Sequence, residues 1–565
     1  MHVASILALS FSLLPRQASG ASIHATPRLH PRISSEDVQN RGFLDGLFHS
    51  FASVESAAEK AVGDAGAAFA PILDVTGGGT TTMPIVNRVV APDGFARPSV
   101  LAGSSFPGPL ITARKGQSFR INVANQLNDT SMETVTTIHW HGFFQSRTPW
   151  EDGVAFVSQC PIVPRASFVY DFSTAKQAGT FWYHSHYSTQ YCDGLRGAMV
   201  VYDPRDPHKS LYDVDDATTV ITLADWYHYL STNAPFIPNP SSTLINGLGR
   251  YPGGPASPLS VINVKQGKRY RFRVVAMSCD SSFDFSIDGH TMTIIEVDSI
   301  NHKPLIVDQI TIYAGQRYSV IITANQPVGN YWVRANPDVG NTGHDGGINS
   351  AIFRYAGAQN TTPTTTAAVR NPMAETSLHP LVASPAPGKP YPGGADIIFN
   401  LDITFNGHFA VNGKSFSSPG VPVLLQILSG LAPAQNLLPT GSVISLPPNK
   451  VVEISVPGGT VGAPHPFHLH GHAFWVVRSA GSDHYNFVDP VIRDVVSTGA
   501  SKSDNTTFRF VTDNAGPWIL HCHIDWHLDI GLAVVFAEDI PSVGKERPPI
   551  SWQSLCPAYN KFIKS

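Results

Sequence analysis

The sequence predicts an all-β chain of three consecutive β-sandwich domains, and two observations carry that expectation. The first is composition: Gly 47 and Pro 45 among 565 residues, with 42% apolar and only 14% charged. That mixture suits a turn-rich β protein with a substantial core better than a disordered chain. At ~150 residues per domain, the length corresponds to three or four domains. The second observation is a recurring segment. "KGQSFRINV" (115–123), "QGKRYRFRV" (266–274) and "PNKVVEISV" (448–456) each join a polar turn to a strand of alternating apolar residues. The apolar sets are Phe119, Ile121 and Val123; Tyr270, Phe272 and Val274; and Val452, Ile454 and Val456. The segments start 151 and 182 residues apart, one sandwich domain each.

Linker composition sets the boundaries. "YDPRDPHKSLYD" (202–213) follows the first domain, and the Thr/Pro/Ala-rich "GAQNTTPTTTAAVRNPMAETSLHP" (357–380) separates the second from the third. The expected domains are therefore 84–205, 206–375 and 376–565. Residues 1–20 read as a cleaved signal peptide, because the apolar run Ile6 to Leu14 is too short to span a bilayer and small residues follow it. Residues 21–83 form an atypical N-terminal extension with a helical stretch, "FLDGLFHSFASVESAAEKAV", that fits no strand pattern. Sequons at Asn128, Asn360 and Asn505 accord with a secreted glycoprotein. The net charge of −4 offers no basic footprint for nucleic acid. No later stretch reaches ~18 apolar residues, so no membrane span is expected.

Four histidine pairs have one residue between partners: His139/His141, His184/His186, His468/His470 and His521/His523. On a strand, residues i and i+2 face the same side, so each pair presents two imidazoles in one direction. Surface or satisfied core histidines explain one such pair easily, but not four. Cys522 lies between His521 and His523 and faces the opposite side, so one segment can serve two metal sites. His527 follows five residues later, and His465 precedes the pair at 468 and 470. One cysteine with two histidines is the trigonal set of blue copper, and the eight paired histidines suit a further copper cluster. Four of the eight come from the first domain and four from the third, which puts the cluster in the crevice between them.

"HWHGFFQSRTPWEDGVAFVSQCPI", "GTFWYHSHYSTQYCDGLRGAMVVYDP", "HPFHLHGHAFWVV" and "HCHIDWHLDIGLAVVFAED" resemble the four signature segments of multicopper oxidases, specifically laccases of the fungal type. The resemblance runs from about residue 84 to the end, and it implies cupredoxin-like Greek-key sandwiches. It implies four copper ions: one type 1 held by His465, Cys522 and His527, and one type 2 held by His139 and His468. The two type-3 ions are assigned to His141, His184 and His523, and to His186, His470 and His521. Leu532, ten residues after the cysteine, occupies the axial position of the type-1 site and cannot ligate. The implied reaction is one-electron oxidation of phenols or aromatic amines through His527, coupled to reduction of O2 to water. Asp152 and Asp525 match acids that the family places beside the cluster, and Asp280 matches an acid that receives the substrate hydroxyl.

Four cysteines besides Cys522 allow three pairings, and the resemblance selects Cys160–Cys556 and Cys192–Cys279 in an oxidising compartment. A secreted monomer is the expectation. A ferroxidase or ascorbate oxidase is the nearest alternative, and a copper carrier without oxidase activity is a second. The ferroxidase is disfavoured by the missing anchor, the ascorbate oxidase by Leu532, and the carrier by the eight extra paired histidines.

Overall fold

The computed structural model describes residues 71–74, 79–430 and 441–565. The expected signal peptide and the expected helical stretch (43–62) lie outside the described residues. Each recurring segment forms a strand: Ser118–Asn125, Arg269–Ala276 and Val451–Pro457. Its three apolar side chains are buried in every case, as the two-residue period of a strand with one face on a core requires. Each of these strands has a parallel neighbour on one side and an antiparallel one on the other. The neighbours are Thr81–Val90 and Ser167–Ser173, then Val220–Trp226 and Arg317–Thr323, then Ile397–Asn400 and Asn505–Val511.

The facing sheets repeat as well. Leu110–Arg114 runs parallel to Arg196–Tyr202, Val261–Val264 to Ser350–Tyr355, and Val443–Leu446 to Ala533–Glu538. Each pair continues into two antiparallel strands: Gly179–His184 and His139–His141, Asn330–Pro337 and Phe283–Ile287, Gly516–Cys522 and Pro466–Leu469. Neighbouring strands are mostly non-consecutive in sequence, so the chain crosses between sheets in the Greek-key manner. The fold is thus all-β with three repeats of one sandwich plan.

One strand departs from the sequence expectation. Ile72–Asp74, inside the expected extension, pairs in parallel with Leu110–Arg114, and Thr81–Val90 begins before residue 84. The unpaired backbone groups of an edge strand explain why this piece is recruited. The cores also merge. Phe272 and Val320 of the second repeat share one apolar cluster with Ile454 and Phe508 of the third. Ile138 and Trp140 of the first pack with Ile519 and Val535 of the third. Disulfides join Cys160 to Cys556 and Cys192 to Cys279, the pairing that the resemblance implied.

Candidate metal centre

The histidine pairs sit on or at the ends of equivalent strands of the first and third repeats, with His186, His470 and His523 just past the strand ends. His139–His141 runs antiparallel to Gly179–His184 with His139 opposite His184, and Pro466–Leu469 to Gly516–Cys522 with His468 opposite His521. The equivalent strands of the second repeat, Phe283–Ile287 and Asn330–Pro337, have no histidine. The two sets meet face to face. His139 stacks on His470 with ring centroids 3.9 Å apart, and His141 on His468 at 3.8 Å. Nε2 of His470 lies 3.1 Å from Nε2 of His521, and Nε2 of His523 lies 3.3 Å from Nδ1 of His141.

All eight rings are buried. Burial lowers the pKa of His141, His184, His186, His468, His470 and His523 well below the usual value, and that of His521 to about 3. These imidazoles are neutral and keep a lone pair for a metal. Backbone carbonyls fix the tautomer of four of the eight rings. Nδ1 of His139 donates to the Asp152 carbonyl (2.7 Å), of His184 to Ser185 (2.8 Å), of His468 to Asp494 (2.8 Å) and of His521 to Cys522 (2.9 Å). Nε2 of His139, His184, His186 and His468 is buried without a hydrogen-bond partner. Buried polar atoms are rarely left so, and a cation among them resolves it.

On the other side of the strand Gly516–Cys522, the Cys522 sulfur lies 3.6 Å from Nδ1 of His465 and 3.7 Å from Nδ1 of His527. The two Nδ1 atoms are 3.2 Å apart. This is a compact triangle of one sulfur and two nitrogens. Burial lowers His465 to about 4 and His527 to about 3, and raises the Cys522 thiol. A thiol in that setting deprotonates when a metal cation takes its proton's place. Leu532 is fully buried, and its carbonyl accepts the Cys522 N–H at 3.1 Å. The Phe409 ring lies 4.7 Å from that of His527.

The Asp152 carboxylate accepts from Nδ1 of His470 at 2.9 Å and stands 3.3 Å from Nδ1 of His139. Burial raises its pKa, with His139 opposing the shift. Asp525 lies against the Cys192–Cys279 disulfide. Its backbone N–H donates to the Cys279 carbonyl (2.9 Å), and its carboxylate is 3.4 Å from the Cys192 sulfur. It is the first residue of the helix Asp525–Asp529. A further acid, Asp494, stands beside the cluster, and sequence reasoning missed it. Asp494 Oδ1 lies 3.4 Å from Nε2 of His141, and Arg317 donates to both carboxylate oxygens at 2.6 and 2.7 Å. Burial raises its pKa against that attraction. The available signal was an acid and a base side by side in the apolar run "PVIRDVV".

The second repeat also contributes to the site. Besides Arg317 it contributes Gly315, where a Cβ would stand 2.8 Å from His523 and 3.1 Å from His141. Its Asp280 follows Cys279, and its N–H donates to the Asp225 carboxylate at 2.8 Å. Burial raises the Asp280 pKa well above the usual range, and the charges of Asp225 and Asp338 add to this.

Comparison with known proteins accords with this geometry. Multicopper oxidase family profiles match residues 84–206, 217–358 and 416–542. Laccase-2 of Pleurotus ostreatus is 60% identical over 85% of this chain and 92% of its own length. The laccase of Phlebia radiata is 58% identical over 86% and 95%. Among solved structures, the laccase from Botrytis aclada aligns with a TM-score of 0.75 at 29% identity, covering 88% of this chain and 94% of that one. Fet3p, described as a multicopper oxidase that functions in iron import, aligns at 0.75 with 27% identity, covering 85% and 95%.

Proposed function

The chain belongs to the multicopper oxidase family, and from that premise we propose how its residues divide the work of a laccase. Its activity is laccase-like: phenolic donors lose single electrons, and O2 is the final acceptor. His465, Cys522 and His527 would hold one copper, and the eight paired histidines three more, in the type-2 and type-3 sets given above. When bound, the copper ions supply one-electron redox chemistry at the first site and four-electron reduction of O2 to water at the second. The observation that carries this reading is the strand ending at Cys522. Its sulfur faces the His465–His527 pair while His521 and His523 face the cluster, so a few covalent bonds connect the two sites.

The approach to His527 is aromatic. Phe409 lies against His527, Phe405 is 4.9 Å from Phe409, and Phe236 is 5.9 Å from Phe405. Phe236 is 75% exposed, so apolar surface leads from solvent to the imidazole edge. That surface orients an aromatic ring and excludes water. Asp280 takes the hydroxyl proton of a phenol or the N–H proton of an aromatic amine. Leu532, whose carbonyl accepts the Cys522 N–H, has no side-chain donor, so a copper held by His465, Cys522 and His527 would gain no ligand from it and would have a higher potential. Asp152 orients His470 and His139, and Asp494 stands beside His141; both carboxyl groups can hold a proton at the cluster for water formation. Among the described residues no helix is long and apolar enough to cross a membrane. A secreted, glycosylated monomer is the cellular form we propose.

Copper analysis, visible spectroscopy and O2 uptake with a methoxyphenol test the reading on purified protein. It expects four copper ions per chain, an intense blue absorption, and methoxyphenol turnover exceeding that of Fe(II) and ascorbate. A fully metallated protein with no blue absorption, or one that prefers Fe(II), contradicts it.

A further inference from the structure

Three aromatic side chains outside the ligand set form a ladder that leads away from His527. Trp526 directly precedes His527, and its indole meets Tyr227 edge-on with centroids 4.9 Å apart. Tyr227 in turn meets Tyr229 at 5.4 Å. Tyr227 is only 1% exposed, whereas Tyr229 is half-buried and reaches solvent. Every rung is polar-anchored. The Trp526 N–H donates to the Ser231 carbonyl (3.2 Å), the Tyr229 hydroxyl to the Asn239 carbonyl (3.3 Å), and the Tyr227 hydroxyl to the Asp225 carboxylate (2.9 Å). The N–H groups of Cys279 and Asp280 hold that carboxylate in place.

Packing explains why large rings fill this seam between the first two repeats. It does not explain why the rings are the oxidisable ones, why they run in line from solvent to the neighbour of His527, or why a carboxylate sits under the buried phenol. A buried phenol gives up an electron readily only when its proton has an acceptor at hydrogen-bond distance, and Asp225 is that acceptor.

We propose that Tyr229, Tyr227 and Trp526 form a second electron entry, used by aromatic donors too large to reach His527; this rests on the copper assignment above. A phenol lying against Tyr229 loses one electron and its hydroxyl proton and leaves as a phenoxyl radical. The electron passes from Tyr229 through Tyr227 and Trp526, which keeps its N–H as a radical cation, to His527; Tyr229 at the surface releases its own hydroxyl proton to solvent on oxidation and takes up the donor's proton when it is reduced again. The Tyr227 proton shifts to Asp225 while that ring is oxidised and returns when Tyr229 reduces it again. The oxidant is the copper held by His465, Cys522 and His527, and O2 remains the final acceptor.

Copper-loaded full-length protein, reduced without oxygen, tests this by flash oxidation with a ruthenium tris-bipyridine complex coupled to dextran. The rise of the blue absorption reports electron departure from the type-1 site to an oxidant that cannot enter the pocket. Tyr229→Phe and Tyr227→Phe keep the rings and remove the ionisable hydroxyls. The rise is expected to slow by about tenfold or more in both, with copper content and turnover of a soluble dimethoxyphenol unchanged. An unchanged rise with intact copper and turnover overturns the ladder. An equal loss on soluble dimethoxyphenol also overturns it, because the tyrosines then belong to the pocket wall. A wild-type protein without any blue absorption overturns the copper assignment instead.

Discussion

Asp280 shows how one carboxyl group sets a pH dependence. Burial and the charges of Asp225 and Asp338 raise its pKa, so the proton-accepting carboxylate form appears only as pH rises through that elevated value. The acid limb of phenol oxidation should therefore lie above the ordinary aspartate range. Asp280→Asn should abolish that limb and cost about a hundredfold in phenol turnover, while sparing donors that have no proton to lose. Equal losses on both donor types would exclude the role, and pH profiles of kcat/KM check it. Leu532→Met would bring a weak donor to a fully buried position next to Cys522, and spectroelectrochemical titration should show a lower type-1 potential. The histidines and Cys522 were legible in the sequence because ligand chemistry and strand period coincide there. Asp494 was not, because it reaches His141 through a tertiary contact between chain segments 353 residues apart.

At the scale of elements, four short strands and the residues just past three of them hold the cluster, and a tight turn follows Asp152. Gly153 follows Asp152 with φ +76°, and a Cβ there would stand 1.7 Å from the Ile138 carbonyl oxygen, beside His139. Gly153→Ala should cost at least about 1–3 kcal/mol and displace Asp152 from His470. Thermal unfolding and copper content measure both effects, and retention of wild-type stability and copper would contradict this account of the turn. The repeat of strands was legible as three similar segments, because each buries three alternating side chains between a parallel and an antiparallel neighbour. The strand Ile72–Asp74 was not, since three residues without alternation carry no period; only the open edge of Leu110–Arg114 gives it a place.

At the scale of the molecule, the site is assembled by all three repeats. The first and third supply the histidines, and the second supplies Arg317, Gly315 and Asp280. Metal ions bound between distant segments stabilise the folded state by mass action, because the unfolded chain does not preform the site. Removing copper should lower the unfolding temperature, with a deficit of roughly 4 kcal/mol for a site filled at a thousand times its Kd. Calorimetry with and without copper checks this, and identical curves would place the metal elsewhere. That Cys522 alone joins electron entry to O2 reduction is tested most directly by Cys522→Ser, with copper counted and O2 uptake followed on a simple phenol. The account predicts a folded protein holding three copper ions, with no blue absorption and no phenol-dependent O2 uptake. Uptake near the wild-type rate in that variant would contradict it.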